Sequence, residues 1–219
     1  MPASEKPRRT PSGDGPFVVG LVGRAGSGKS SVARALERVG AVVLDADRIG
    51  HEVTDRDPAV RAALIADYGP AVYLEDGTLN RRLVATAVFS NPAALAALNR
   101  LVHPRILAVL RERLSRLANR GGATVVVDAA LMLDWAFERE CDAVVAVTAP
   151  EARRIERLGR ARGWSAAEAQ RRLAAQRDDA AFAAAADVVL ENRGSEAELA
   201  AAAVAALERL RAAPRRESS

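Results

Sequence analysis

The segment Gly23-Arg24-Ala25-Gly26-Ser27-Gly28-Lys29-Ser30 constrains this chain more than any other. It satisfies the Gly-x4-Gly-Lys-Ser pattern in full. An apolar run, Phe17 to Val22, precedes it. An amphipathic stretch, Ser31 to Val39, follows with Val32, Ala35, Leu36 and Val39 on one face and Gly40 as a stop. A second apolar run, Ala41 to Leu44, ends on Asp45 and Asp47. Strand, glycine loop, helix and strand within about thirty residues make a βαβ unit.

Each part of the loop has a chemical use. Glycines let the backbone turn so that successive N–H groups face an anion. The helix that follows adds its positive end. Lys29 supplies a compact mobile charge for β/γ phosphates, and the Ser30 hydroxyl is a hard oxygen ligand for Mg²⁺. Ser31 continues the first helical turn. Of the 32 Lys plus Arg residues only Lys6 and Lys29 are lysine, and Lys6 sits in a polar N-terminal stretch. Ammonium and guanidinium are not interchangeable, so the one lysine of the body falling here argues for its use. Gly26, Ser27, Gly28, Lys29, Ser30 and Ser31 are therefore expected to bind a nucleoside triphosphate, ATP, with Mg²⁺.

Three further apolar runs, Thr124 to Val127, Ala143 to Val147 and Asp187 to Leu190, read as buried strands, and Leu199, Ala203, Leu207 and Leu210 stripe a last helix. Five short strands interleaved with helices predict a doubly wound parallel sheet of the α/β class, with the phosphate loop of a P-loop NTPase. Residues 50–118 read as helices broken at Asp57-Pro58, Gly69-Pro70, Asp76-Gly77, Asn91-Pro92 and His103-Pro104, with a short strand at Val72 to Leu74 the one exception. The spacings Thr148/Glu151 and Ser165/Glu168 each predict a capped helix start. The expected organisation is a core domain over 17–211, carrying a helical insert at 50–118 and an Arg-rich segment at 153–180. Residues 1–16 and 212–219 are expected to be disordered tails.

Open α/β sheets place ligands at the carboxyl ends of their strands. Asp47 is there as a candidate general base for an attacking hydroxyl, with Asp45 a candidate substrate-site residue that positions Asp47 or the metal, its other reading a helix N-cap or turn aspartate. Asp128 closes the third strand, where a carboxylate reaches Mg²⁺ directly or through water.

The net charge is +4, but residues 1–16 and 211–219 hold +1 and +2 of it, which leaves the rest of the chain at +1. The pI of 9.9 thus reports arginine-rich tails, and with aromatic residues at 4% a nucleic-acid surface is not expected. One cysteine, Cys141, and two histidines, His51 and His103, exclude a disulfide framework and a His/Cys zinc site. With no apolar run near the ~20 residues of a membrane span, and no apolar leader, a cytoplasmic chain without membrane contact is expected.

A series of motifs resembles the dephospho-coenzyme A kinase family in order and spacing. It runs through Gly20-Leu21-Val22, the phosphate loop, Asp45-Ala46-Asp47, Asp76-Gly77-Thr78-Leu79-Asn80-Arg81, Val88-Phe89 and His103-Pro104-Arg105-Ile106. It continues through Asp128 to Asp134, Arg172 to Gln176 and Ala186 to Asn192. The resemblance spans about residues 17–200. It implies a nucleotide-kinase-like fold, and transfer of the ATP γ-phosphoryl group to the ribose 3′-hydroxyl of dephospho-coenzyme A with Mg²⁺. By position Asp47 resembles the general base, and Gly26 to Ser31 the ATP site. The insert carrying His51, Arg81 and His103 resembles the coenzyme A lobe, and 153–180 a lid closing through Arg157. Arg160, Arg162 and Arg177 are alternative lid cations. The chain departs from the family pattern at Arg24-Ala25, Ala85, Ala130 and Asp134, and in lacking a basic residue near Phe182. Rival readings are another P-loop kinase for a nucleoside, nucleotide or sugar acid, and a non-catalytic ATP-binding protein. A monomer or weak homo-oligomer is expected.

Overall fold

The computed structural model describes residues 15–89, 91–118 and 122–213. Apart from residues 15–16 and 212–213, the expected tails lie outside them. The described residues divide into two compact units. One holds the chain up to Leu44 and from Arg116 onward; the other is Asp45–Ser115.

The first unit is built on a five-stranded sheet in the order β2-β3-β1-β4-β5. The strands are β1 (Phe17–Val22), β2 (Val42–Asp45), β3 (Thr124–Asp128), β4 (Ala143–Thr148) and β5 (Val188–Glu191). All run parallel, as the apolar runs predict. Helices α1 (Lys29–Arg38) and α9 (Glu196–Ala212) close one face. Their Val32, Leu36, Leu199, Ala203 and Leu207 meet Val19, Leu21, Val126, Val145, Val147 and Leu190 in one buried cluster. Each buried Val or Leu there contributes about 1.5–3 kcal/mol. Two carboxylates tie strand starts together: Asp142 Oδ2 accepts from Val18 N and Asp187 Oδ2 from Val144 N, both at 2.7 Å. The Ala186-Asp187 motif thus has a structural use.

The register pairs Leu21 with Asp128, which sets Asp128 beside the strand end that feeds the phosphate loop. Between β4 and β5 lie α6 (Glu151–Arg162), α7 (Ala166–Ala174) and α8 (Asp179–Ala185). Leu158, Ala169 and Leu173 form a small core there, against which Ala25, Ile155 and Trp164 pack. Phe182 is buried, a core position of α8. Ser165 caps α7 by accepting from Glu168 N. The Thr148/Glu151 reading is corrected: Thr148 completes β4, and α6 starts after Pro150 with no side-chain cap, because parallel pairing to Glu191 holds Thr148 extended.

The second unit comprises α2 (Ala46–Arg56), α3 (Pro58–Tyr68), a 3-10 turn at Pro70–Val72, α4 (Arg81–Phe89) and all but the last turn of α5 (Pro92–Ala118). Two expectations fail in it. Val72 to Leu74 is no strand; a single antiparallel bridge, Tyr73 to Leu79, closes the Asp76-Gly77 turn. Nor does His103-Pro104 break the chain, since α5 runs through it. Arg105 Nη1 donates to Leu101 O at 2.6 Å beside the proline, and Val102, Ile106, Leu110 and Leu114 bury the helix on both sides of it. Because α5 is continuous, it is a stretch of membrane length that the sequence reading did not count, interrupted by Arg100 and Arg105. Its most apolar 18 residues reach a mean hydropathy of 1.3, enough by length and composition alone.

Candidate phosphate-transfer site

The phosphate loop joins β1 to the first turn of α1. Its Gly23, Gly26 and Gly28 have φ of +142°, +74° and +111°, values that side chains rarely adopt. Ser27 is fully buried, and its Oγ has no hydrogen-bond partner. Lys29 opens α1, with its Nζ 3.8 Å from Asp128 Oδ1 and both side chains largely shielded. Ser30 is exposed in the same turn. Ser31 is engaged elsewhere: its hydroxyl accepts from Arg34 Nη2 at 3.0 Å. Hydrogen bonding from Ser31, then the Arg34 guanidinium, holds the Glu196 carboxyl below its usual range.

The helices after β4 grip the loop from outside. Arg157 Nη1 donates to Gly26 O at 3.2 Å and Ser27 O at 3.4 Å. Ala25 N donates to Gln176 Oε1 at 3.0 Å, and Arg24 Nη2 to Leu173 O. Asn192 donates to Ser27 O. The other proposed lid cations stand apart: Arg160 pairs with Glu156, Arg177 with Asp134, and Arg162 lies over Trp164. Arg154, 3% exposed, binds Asp179. Gln176 and Asn192 close two of the motifs in the resemblance, but neither is marked there as a loop partner, because their spacing carries no periodic signal.

In the second unit Asp45 is the N-cap of α2, accepting from Arg48 N at 3.0 Å, and Asp47 lies exposed in the first turn. His51 is exposed and His103 half-buried on α5. Arg81 Nη2 sits 3.0 Å from both oxygens of Asp55 and 3.4 Å from His51 O. The structure thus gathers Arg81 with the backbone of His51, and adds Asp55, which the sequence did not single out.

Burial alone would push the Asp55 carboxyl up, but the Leu79 amide and the Arg81 guanidinium outweigh it and hold it below the ordinary value. A carboxyl lowered by folding stabilises above its unfolded pKa, and that contribution is lost as pH falls through the usual carboxylate range. Asp55→Asn is therefore expected to lower Tm at pH 7 and to flatten the acid limb of Tm against pH. Its cost should be about 1–3 kcal/mol, read by thermal unfolding between the two pH extremes.

For a divalent cation the donors are suitable. Ser30 and Asp128 offer hard oxygens, and among the described residues no group of three or more His, Cys, Asp or Glu converges. That set suits an ion held largely by phosphates, and not a protein cage.

Sheet, loop and the Lys29–Asp128 pair define a P-loop protein of the small-molecule kinase kind. The dephospho-CoA kinase family profile matches residues 17–198. A Corynebacterium jeikeium dephospho-CoA kinase is 39% identical over 183 residues, covering 84% of this chain and 94% of that protein. A Thermus thermophilus crystal structure superposes with a TM-score of 0.75 at 33% identity, over 90% of this chain and 98% of that one. A Campylobacter jejuni dephospho-CoA kinase, at 20% identity and a TM-score of 0.63, covers 89% and 97% and shares the fold. The chain belongs to the dephospho-CoA kinase family. That family consists of transferases acting at the final step of coenzyme A synthesis.

Proposed function

We propose that this chain transfers the γ-phosphoryl group of ATP to the ribose 3′-hydroxyl of dephospho-coenzyme A, giving coenzyme A and ADP. One observation carries the reading: the family match over residues 17–198 coincides with a fully formed phosphate loop whose lysine faces a strand-end carboxylate. Loop amides from Gly26 to Ser31 cradle the phosphates, and Lys29 offsets charge on the β/γ oxygens. Ser30 and Asp128 would hold Mg²⁺, which when bound neutralises phosphate charge. Asp47 accepts the proton of the attacking hydroxyl, with Asp45 setting the start of its helix. Arg157 supplies lid charge, and the Asp45–Ser115 unit, with His51, Arg81 and His103, takes the coenzyme A moiety. A cytoplasmic monomer or weak homo-oligomer, contacting neither nucleic acid nor membrane, completes the reading.

The decisive test is an acceptor panel. ADP release should require dephospho-coenzyme A and stay at background with nucleoside monophosphates or gluconate. ADP release with one of those instead would assign the chain to another P-loop kinase reaction. ATP binding without transfer to any acceptor would make it a nucleotide-binding protein only.

A further inference from the structure

A phosphate loop that turns its N–H groups inward turns carbonyls outward, and buried outward carbonyls need donors of their own. Here those donors converge from two separate elements. Asn192, 4% exposed, directly follows β5, and its backbone N–H is fixed by Thr148 O at 2.7 Å. Its side-chain Nδ2 donates to Ser27 O at 2.7 Å, while its Oδ1 accepts from Arg157 Nη2 at 3.1 Å. Arg157 Nη1 in turn reaches Gly26 O and Ser27 O. We propose that Asn192 is a positioning residue for nucleotide binding: it locks the Ser27 carbonyl and aims the Arg157 guanidinium at the loop's outer face, so the loop holds its anion-accepting shape before nucleotide arrives.

The chemistry of the pair allows few substitutes. A carboxamide presents one donor and one acceptor, and both are matched: the donor meets a carbonyl, the acceptor a guanidinium. Turning the amide over would oppose donor to donor and acceptor to acceptor. An aspartate would set a carboxylate oxygen against Ser27 O. A lysine at 157 offers a single ammonium, without the planar fork that serves two carbonyls and the amide together. Gly28 belongs to the same arrangement. A Cβ there would overlap Asn192 Nδ2 and crowd Leu199, so Gly28 lets Asn192 approach as well as supplying φ +111°. The inference deepens the ATP reading and rests on it. It gives Arg157 a route to the nucleotide through the loop backbone, set up by Asn192.

The experiment compares the full-length wild type with Asn192→Ala, Asn192→Asp, Arg157→Ala, Arg157→Lys and the Asn192→Ala/Arg157→Ala double variant. ATP and ADP affinities come from calorimetric titration, and kcat and both KM values from ADP release with dephospho-coenzyme A. Asn192→Ala should weaken ATP and ADP binding by roughly 10–100-fold, as expected for lost hydrogen bonds to a charged partner. Saturated kcat should change by less than about threefold, with KM for dephospho-coenzyme A unmoved, since the loss falls on uniform binding. Asn192→Asp and Arg157→Lys should fail to rescue, and the double variant should lose less than the sum of the singles. Wild-type nucleotide affinity in Asn192→Ala overturns the proposal, as does a loss confined to kcat or strict additivity. If Asn192→Ala does not fold, the isosteric Asn192→Asp decides by the same split: loss in nucleotide affinity supports the brace, and wild-type affinity or loss in kcat alone overturns it. A wild type that binds no ATP would sink the nucleotide reading beneath it, a result separable from failure of Asn192 alone.

Discussion

Lys29→Ala is expected to reduce phosphoryl transfer by on the order of 10²–10³ or more, the range for removing one preorganised donor from a transferring group. The structure gives the residue no deputy in its turn of α1. Lys29 opens the helix with its ammonium against Asp128, and the chain's only other lysine, Lys6, lies outside the described residues. Removing the cation strips the loop of its mobile charge and leaves the Asp128 carboxylate facing incoming phosphates without that screen. Arginine is not expected to restore the rate, because its longer planar fork cannot occupy the place of a compact ammonium. ADP release measured at saturating ATP, alongside ATP titration, reads both losses. A variant with near-normal rates would remove the loop from the chemistry altogether.

Asp47→Asn should lower turnover by roughly 10²–10⁴ while leaving ATP affinity nearly intact, the pattern of a lost proton acceptor. The neighbouring carboxylate serves as the control. Asp45 caps α2 through Arg48 N, and asparagine caps about as well as aspartate, so Asp45→Asn should keep both fold and most of the rate. The two isosteric changes, two residues apart, therefore separate a base from a helix cap. Single-turnover transfer to dephospho-coenzyme A is the measurement; equal rates in the two variants would take the base role away from Asp47.

Much of the first unit was legible because its signals are local. Five apolar runs a few residues long became five parallel strands with boundaries shifted by at most one residue, and the loop lay where its pattern placed it. The capping error at Thr148 has a tertiary origin: a strand partner outcompeted a local helix start. The proline at 104 misled for a similar reason, since burial of Val102, Ile106, Leu110 and Leu114 carries α5 across a residue that would end an isolated helix. Asp55 was hidden because its value depends on Leu79 and Arg81, more than twenty residues away.

What the sequence determined alone was the phosphate loop and the layered α/β plan around it, since these follow from residue type, spacing and hydrophobic period within short stretches of chain, while the family resemblance needed the ordered motif series over about residues 17–200. What only the tertiary structure decided was which side chains hold the loop in shape. Asn192, Arg157 and Gln176 reach it from 130 or more residues away for Arg157 and farther for the other two, and their roles arise from outward carbonyls and amides that acquire partners only once the sheet is assembled.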